Sequence, residues 1–127
     1  MLKVIFCLRR SPDLSREEFQ RYWREHHAPL VQAHAEALGI RRYVQEHSID
    51  DSISLLVAGE RNPPAPFDGV AELWFDDLDA LAATAATEEG RAAGAALLAD
   101  ERTFVDLPNS PFFITEEAVM VDGPTGA

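Results

Sequence analysis

The chain has 127 residues, 46% of them hydrophobic, and a formal net charge of −11. That length fits one domain, and an acidic chain with no basic run is poorly suited to nucleic acid or to anionic membranes. The single cysteine, Cys7, excludes an intramolecular disulfide and fits a cytoplasmic location.

The first segment, "KVIFCLR" (3–9), is short and rich in β-branched and aromatic residues, so it reads as a strand. Its apolar run is too short for a signal-peptide core or a membrane span. "SPD" (11–13) is turn chemistry, and "SREE" (15–18) offers a capping box, with Ser15 as N-cap and Glu18 reaching back. A helix follows, with Phe19, Trp23, His27, Leu30 and His34 on one stripe. Pro29 interrupts it. Proline has no N–H for the carbonyl of residue 25 and biases Ala28 away from helical angles, so a kink or restart is expected near 26–29. Gly39 provides the C-terminal stop.

A second strand is expected over "RRYVQEH" (41–47) and a third over "VAELWF" (70–75). Residues 48–69 lie between them, with an undecided first part and a proline-rich second part. This stretch is longer than a compact domain needs and reads as a lid or an arm around a partner. Helical pieces are expected over 76–86 and 87–101, the second capped by Thr87. A last strand is expected over 110–121. Residues 1–121 then form one domain and 122–127 a flexible tail. The order β-α-β-loop-β-α-β specifies an α+β, ferredoxin-like sandwich: a four-stranded antiparallel sheet with helices on one face.

Strand alternation assigns side chains to faces. Val4, Phe6 and Leu8, with Ala71, Leu73 and Phe75, are cleanly apolar and are expected under the helices. The opposite face is expected to carry Ile5, Cys7, Glu72 and Trp74 together with Tyr43, Gln45 and His47. This depends on register, since a slip of one residue inverts a strand. Leaving such a face in water is costly, by several kcal/mol at about 25 cal/mol per Å² of apolar area. A second copy of the chain is the expected cover. The covered face would then line a small-molecule pocket, with Trp23, Trp74, Gln45, Cys7 and Ile5 as substrate contacts.

Histidine's ordinary pKa near 6.5 suits proton transfer at neutral pH. His26 and His27 are about 100° apart on a helix, and helical spacing alone leaves open which faces the sheet. Glu72 is read as an orienter or a base, or else as a salt-bridge partner of Arg9 or Arg41. Tyr43 is read as a donor to a developing oxyanion. His27, His34 and Glu72 do not form a recognised short metal motif, so no metal is expected. There is no phosphate loop, dinucleotide fingerprint, nucleophile elbow or CxxC pair.

Four blocks in order, "KVIFCLRRSPDLSREEFQRYWREHHAPLV", "GIRRYVQEH", "FDGVAELWFDDLDAL" and "FVDLPNSPFFITEE", closely resemble the EthD family. The resemblance implies a dimeric α+β barrel built from two ferredoxin-like sheets. It matches His27 to the recurrent histidine of the "HAPL" motif and His47 to that of the "YVQ-x-H" run. It also implies a cofactor-independent enzyme that moves protons on a small apolar carbonyl, lactone or polyketide-like substrate. His27 would act as base or acid, with His47 as its partner. A non-catalytic ligand-binding accessory of an oxygenase system, and an oxidoreductase (cofactor-free oxygenation or haem handling), are the alternatives it leaves open.

Overall fold

The computed structural model of the chain describes residues 1–49 and 51–124. Of the stretches expected above, Asp50 in the long connection and residues 125–127 of the tail lie outside the described residues. The strands are β1 (Leu2–Leu8), β2 (Arg42–His47), β3 (Gly69–Phe75) and β4 (Phe112–Glu116). They form one antiparallel sheet in the order β2-β3-β1-β4. The helices are α1 (Arg16–Tyr22), α2 (Ala28–His34), α3 (Ile53–Ala58), α4 (Leu78–Ala83) and α5 (Glu88–Phe104). This is a ferredoxin-like α+β sandwich.

The local signals act as their chemistry dictates. Ser15 Oγ accepts from the Glu18 N–H, and Glu18 returns the bond to the Ser15 N–H, which completes the capping box. Thr87 caps α5 through the Gly90 N–H. α2 ends at His34, ahead of the expected stop, and Gly39, with a left-handed φ of 68°, closes the run of turns that follows it.

Pro29 does not break the helix. A π-helical turn over Trp23–His27 joins α1 to α2, and the Ala28 N–H bonds the Trp23 carbonyl across this wider turn. Widening the helix there absorbs the missing proline donor without ending the rod. The last strand is shorter than 110–121. Glu116 lies opposite Leu2, where β1 begins, so residues 117–121 have no partner strand. Val119, Met120 and Val121 are exposed. Residues 48–69 contain α3, whose Leu55, Leu56 and Val57 are each more than 70% exposed.

Strand register settles the faces. Directly paired residues share a face of the sheet. Val4 pairs Leu73, which pairs Tyr43; Phe6 pairs Ala71, which pairs Gln45; Leu8 pairs Gly69, which pairs His47. Val4, Phe6 and Leu8 are buried under the helices. Tyr43, Gln45 and His47 therefore lie on the helix side. The expected face of β2 is inverted, and Arg42, Val44 and Glu46 share the open face with Ile5, Cys7, Glu72 and Trp74. Both sets of β2 contain polar groups, so alternation alone does not choose between them, and isolated polar groups avoid cores. Inside, Gln45 bonds the Trp23 carbonyl, Tyr43 and His47, which offsets most of the penalty and leaves His47 Nδ1 without a partner.

The core holds Phe19, Trp23 and Phe104, each at most 1% exposed, against Phe6, Leu8 and Ala71. A second cluster packs Leu2, Val4 and Phe75 against Ile40 and Leu81. Gly69 is needed for the first. A Cβ at this position would lie 2.3 Å from the Trp23 ring, so only glycine lets the indole lie against β3.

Candidate functional site

Between the helices and the sheet is a cavity of about 280 Å³. Its wall is mostly apolar and draws on both core clusters. The titratable groups that line it are His27, Tyr43 and Glu101. The expected pocket on the open sheet face is thus replaced by one on the helix side, inside a single chain.

His27 closes the π-turn and is 5% exposed. Its Nδ1 is 2.7 Å from Asp100 Oδ2 on α5. An ionised carboxylate only accepts, so Nδ1 carries the hydrogen. Tyr22 Oη donates to the other Asp100 oxygen at 2.5 Å. Nε2 has no hydrogen-bond partner among the described residues and remains open to the cavity. Phe104 packs against the ring at 5.1 Å. Burial pushes the His27 pKa below 6.5, although the Asp100 carboxylate works in the other direction. The result is an oriented, neutral imidazole with its lone pair facing an apolar space.

Glu101 follows Asp100 in sequence but points into the cavity. Burial, with the Asp100 charge beside it, raises its pKa from 4.5 to about 7. Tyr43 is pushed up to about 12, chiefly by burial, and the Glu101 charge adds to the rise. Both groups therefore stand on the same space, and at neutral pH Tyr43 keeps its proton.

Sequence reasoning missed Asp100 and Glu101. The signal was there: Ala93, Leu97, Glu101 and Phe104 form one helical stripe, with a carboxylate among apolar residues.

The other expected site residues are placed as follows. Trp23 walls the cavity. Gln45 and His47 sit behind it, with the His47 ring 4.6 Å from that of Trp23. His26 is exposed and lies against Tyr22. Glu72, Trp74, Cys7 and Ile5 are on the far side of the sheet. Glu72 pairs with Lys3 at 2.9 Å, whereas Arg9 bonds the carbonyls of Ala65 and Pro66, and Arg41 pairs with Asp76. Glu72 therefore does not orient His27; Asp100 does. Lys3 and Arg42 both lie over the Trp74 ring. Burial raises the Cys7 pKa, which keeps it a thiol. Among the described residues no three His, Cys, Asp or Glu side chains converge as metal ligands would, and no helix is long and apolar enough to cross a membrane.

The EthD domain model matches residues 11–108. The chain belongs to the EthD family. Solved EthD structures share its fold. An EthD family protein from Bacillus halodurans is 23% identical, with a TM-score of 0.61 over 93% of this chain and 99% of that one. An EthD-like protein from Ralstonia eutropha is 18% identical, with a TM-score of 0.61 over 94% and 95%. SnoaB, a cofactor-independent oxygenase from Streptomyces nogalater, is 15% identical, with a TM-score of 0.54 over 95% and 97%. No curated protein matches the chain.

Proposed function

We propose that this EthD-family protein is a cofactor-independent enzyme that moves protons on a small, largely apolar carbonyl, lactone or polyketide-like substrate. One observation carries the reading. An oriented neutral imidazole, a carboxyl with a pKa of about 7 and a protonated phenol face one apolar cavity. Groups whose environments push their pKa values apart are the usual mark of paired acid and base roles.

In this reading His27 Nε2 removes a proton from carbon next to the substrate carbonyl. The C–H electron pair moves to the oxygen, and the Tyr43 O–H stabilises the enolate that forms. Protonated Glu101 then gives its proton to carbon, for isomerisation, or to a departing hydroxyl, for dehydration. Asp100 holds the imidazole tautomer and stabilises the imidazolium, and Tyr22 holds Asp100. Apolar walls exclude water and strengthen each of these interactions.

The same reading takes the protein as a homodimer joined through the open sheet face, where Ile5, Val44, Val70 and Trp74 are only half-buried. The name of SnoaB brings a second chemistry into view: the same substrate anion reacting with dioxygen.

The test is exchange of carbon-bound hydrogen in deuterated water, followed by NMR over a panel of aryl ketones, 1,3-diketones and unsaturated lactones. Wild type is expected to accelerate exchange at the carbon next to the carbonyl. His27→Gln is expected to lower the rate at least about a hundredfold. Exchange at wild-type rate in His27→Gln sinks the assignment. Oxygen uptake in place of exchange moves the protein to the oxygenase class, and saturable binding without either makes it a carrier.

A further inference from the structure

Gln45 sits behind the cavity wall and makes three hydrogen bonds. Its Nε2 is 2.9 Å from the Trp23 carbonyl oxygen and 2.8 Å from Tyr43 Oη. Its Oε1 is 2.9 Å from His47 Nε2. A backbone carbonyl only accepts, so the group facing Trp23 must be the amide nitrogen, and the flipped amide is excluded. One N–H goes to Trp23 and the other to Tyr43. The Tyr43 oxygen is therefore the acceptor in its bond with Gln45, and the Trp23 indole N–H, which only donates, bears on the same oxygen as a lesser second donor. Its own hydrogen has no acceptor among the described residues, and Tyr43 lines the cavity.

The same logic fixes the next group. Gln45 Oε1 only accepts, so His47 carries its hydrogen on Nε2. Its Nδ1 is then a bare lone pair, buried without a partner. A second proton on this ring would place an N–H in the same closed space, and burial lowers the His47 pKa accordingly. His47 thus holds the Gln45 amide in one orientation through neutral pH.

We propose that Gln45 is a positioning residue: its amide occupies the acceptor side of the Tyr43 oxygen and turns the phenol hydrogen into the cavity, which selects ligands that carry a carbonyl or enolate oxygen. This rests on the reading above, in which Tyr43 meets a substrate oxygen. It adds the part of the fold that aims the donor. The Trp23 carbonyl that anchors the amide belongs to the π-turn beside Pro29, so the irregular helix and the donor direction are linked.

The probe is 1-indanone labelled with carbon-13 at the carbonyl, observed by difference infrared spectroscopy at millimolar ketone. In wild type its carbonyl band is expected to shift to lower frequency than in hexane. Tyr43→Phe should abolish the shift and weaken binding about tenfold. Gln45→Met should also abolish most of the shift, and the double variant should lose no more than Tyr43→Phe alone. A merely structural role for Gln45 would lower the melting temperature and leave the band in place. A second measurement needs no variant: nitrogen-15 NMR of wild type should find His47 as the Nε2–H tautomer.

An Nδ1–H tautomer, a band shifted as far in Gln45→Met as in wild type, or no shifted band in wild type overturns the proposal. The two readings fail separately. Full proton exchange in Gln45→Met removes the positioning role and leaves the proton-transfer reading intact. A Gln45-dependent band shift with no turnover of any substrate does the reverse.

Discussion

Glu101 offers a quantitative test of the site that needs no substrate. Its carboxyl has an ordinary pKa of 4.5 and one of about 7 in the folded protein. Below 4.5 both folded and unfolded chains hold the proton, and the residue does not bias folding. As pH rises, the unfolded chain releases the proton first, and the folded state loses stability until the folded carboxyl has also ionised. At about 1.4 kcal/mol for each pKa unit, the loss is about 3 kcal/mol above pH 8. Glu101→Gln removes the titration. Urea denaturation of both proteins, at one fixed concentration and followed by tryptophan fluorescence, should show the variant gaining on wild type between about pH 4.5 and 8. The stability difference should move by about 3 kcal/mol in favour of glutamine. A difference that stays flat within about 0.5 kcal/mol over that range would show that the Glu101 carboxyl is not buried in the cavity wall. The tuned acid would fall with it.

His27 should act on the other side of neutrality. Its folded pKa lies below 6.5, so the stability it contributes is complete above 6.5 and is lost as pH falls towards the folded value; His27→Gln should flatten that acid limb in the same denaturation series. Asp100→Asn leaves one good acceptor for two donors, Tyr22 and His27, and should slow proton exchange about a hundredfold or more with the fold retained; exchange within threefold of wild type would remove Asp100 from the site. Gly69→Ala forces a methyl against the Trp23 ring and should destabilise by about 1–3 kcal/mol, measured by urea denaturation. Sedimentation velocity should find a wild-type dimer and a largely monomeric Ile5→Glu; a wild-type monomer would leave the open sheet face unexplained.

Strand and helix order, the capping box at Ser15, the cap at Thr87 and the left-handed turn at Gly39 were legible along the chain. Each depends on residues within a few positions of one another, and so did the disturbance at Pro29. That disturbance took the form of a wide helical turn. Whether a proline ends a helix or is absorbed depends on what packs against the turn, and here that is the sheet and α5. Glu101 was legible in principle as a carboxylate on an apolar stripe. Its raised pKa was not, because burial comes from residues distant in sequence.

The face of β2 marks the boundary. Alternation sorts a strand into two sets but cannot say which set faces inward when both contain polar groups. The register with β3 decided it. That register carried Tyr43, Gln45 and His47 to the helix side, where Gln45 bonds the Trp23 carbonyl, Tyr43 and His47 while His47 Nδ1 stays without a partner, and it left Glu72 to pair with Lys3 on the far face. The sequence by itself determined the elements, the ferredoxin-like order and the prominence of His27, since those follow from local spacing and chain order. Only the tertiary structure decided where the cavity lies and which groups enter it. Asp100 is 73 residues from His27 along the chain, and only the packing of α5 across the π-turn brings them together.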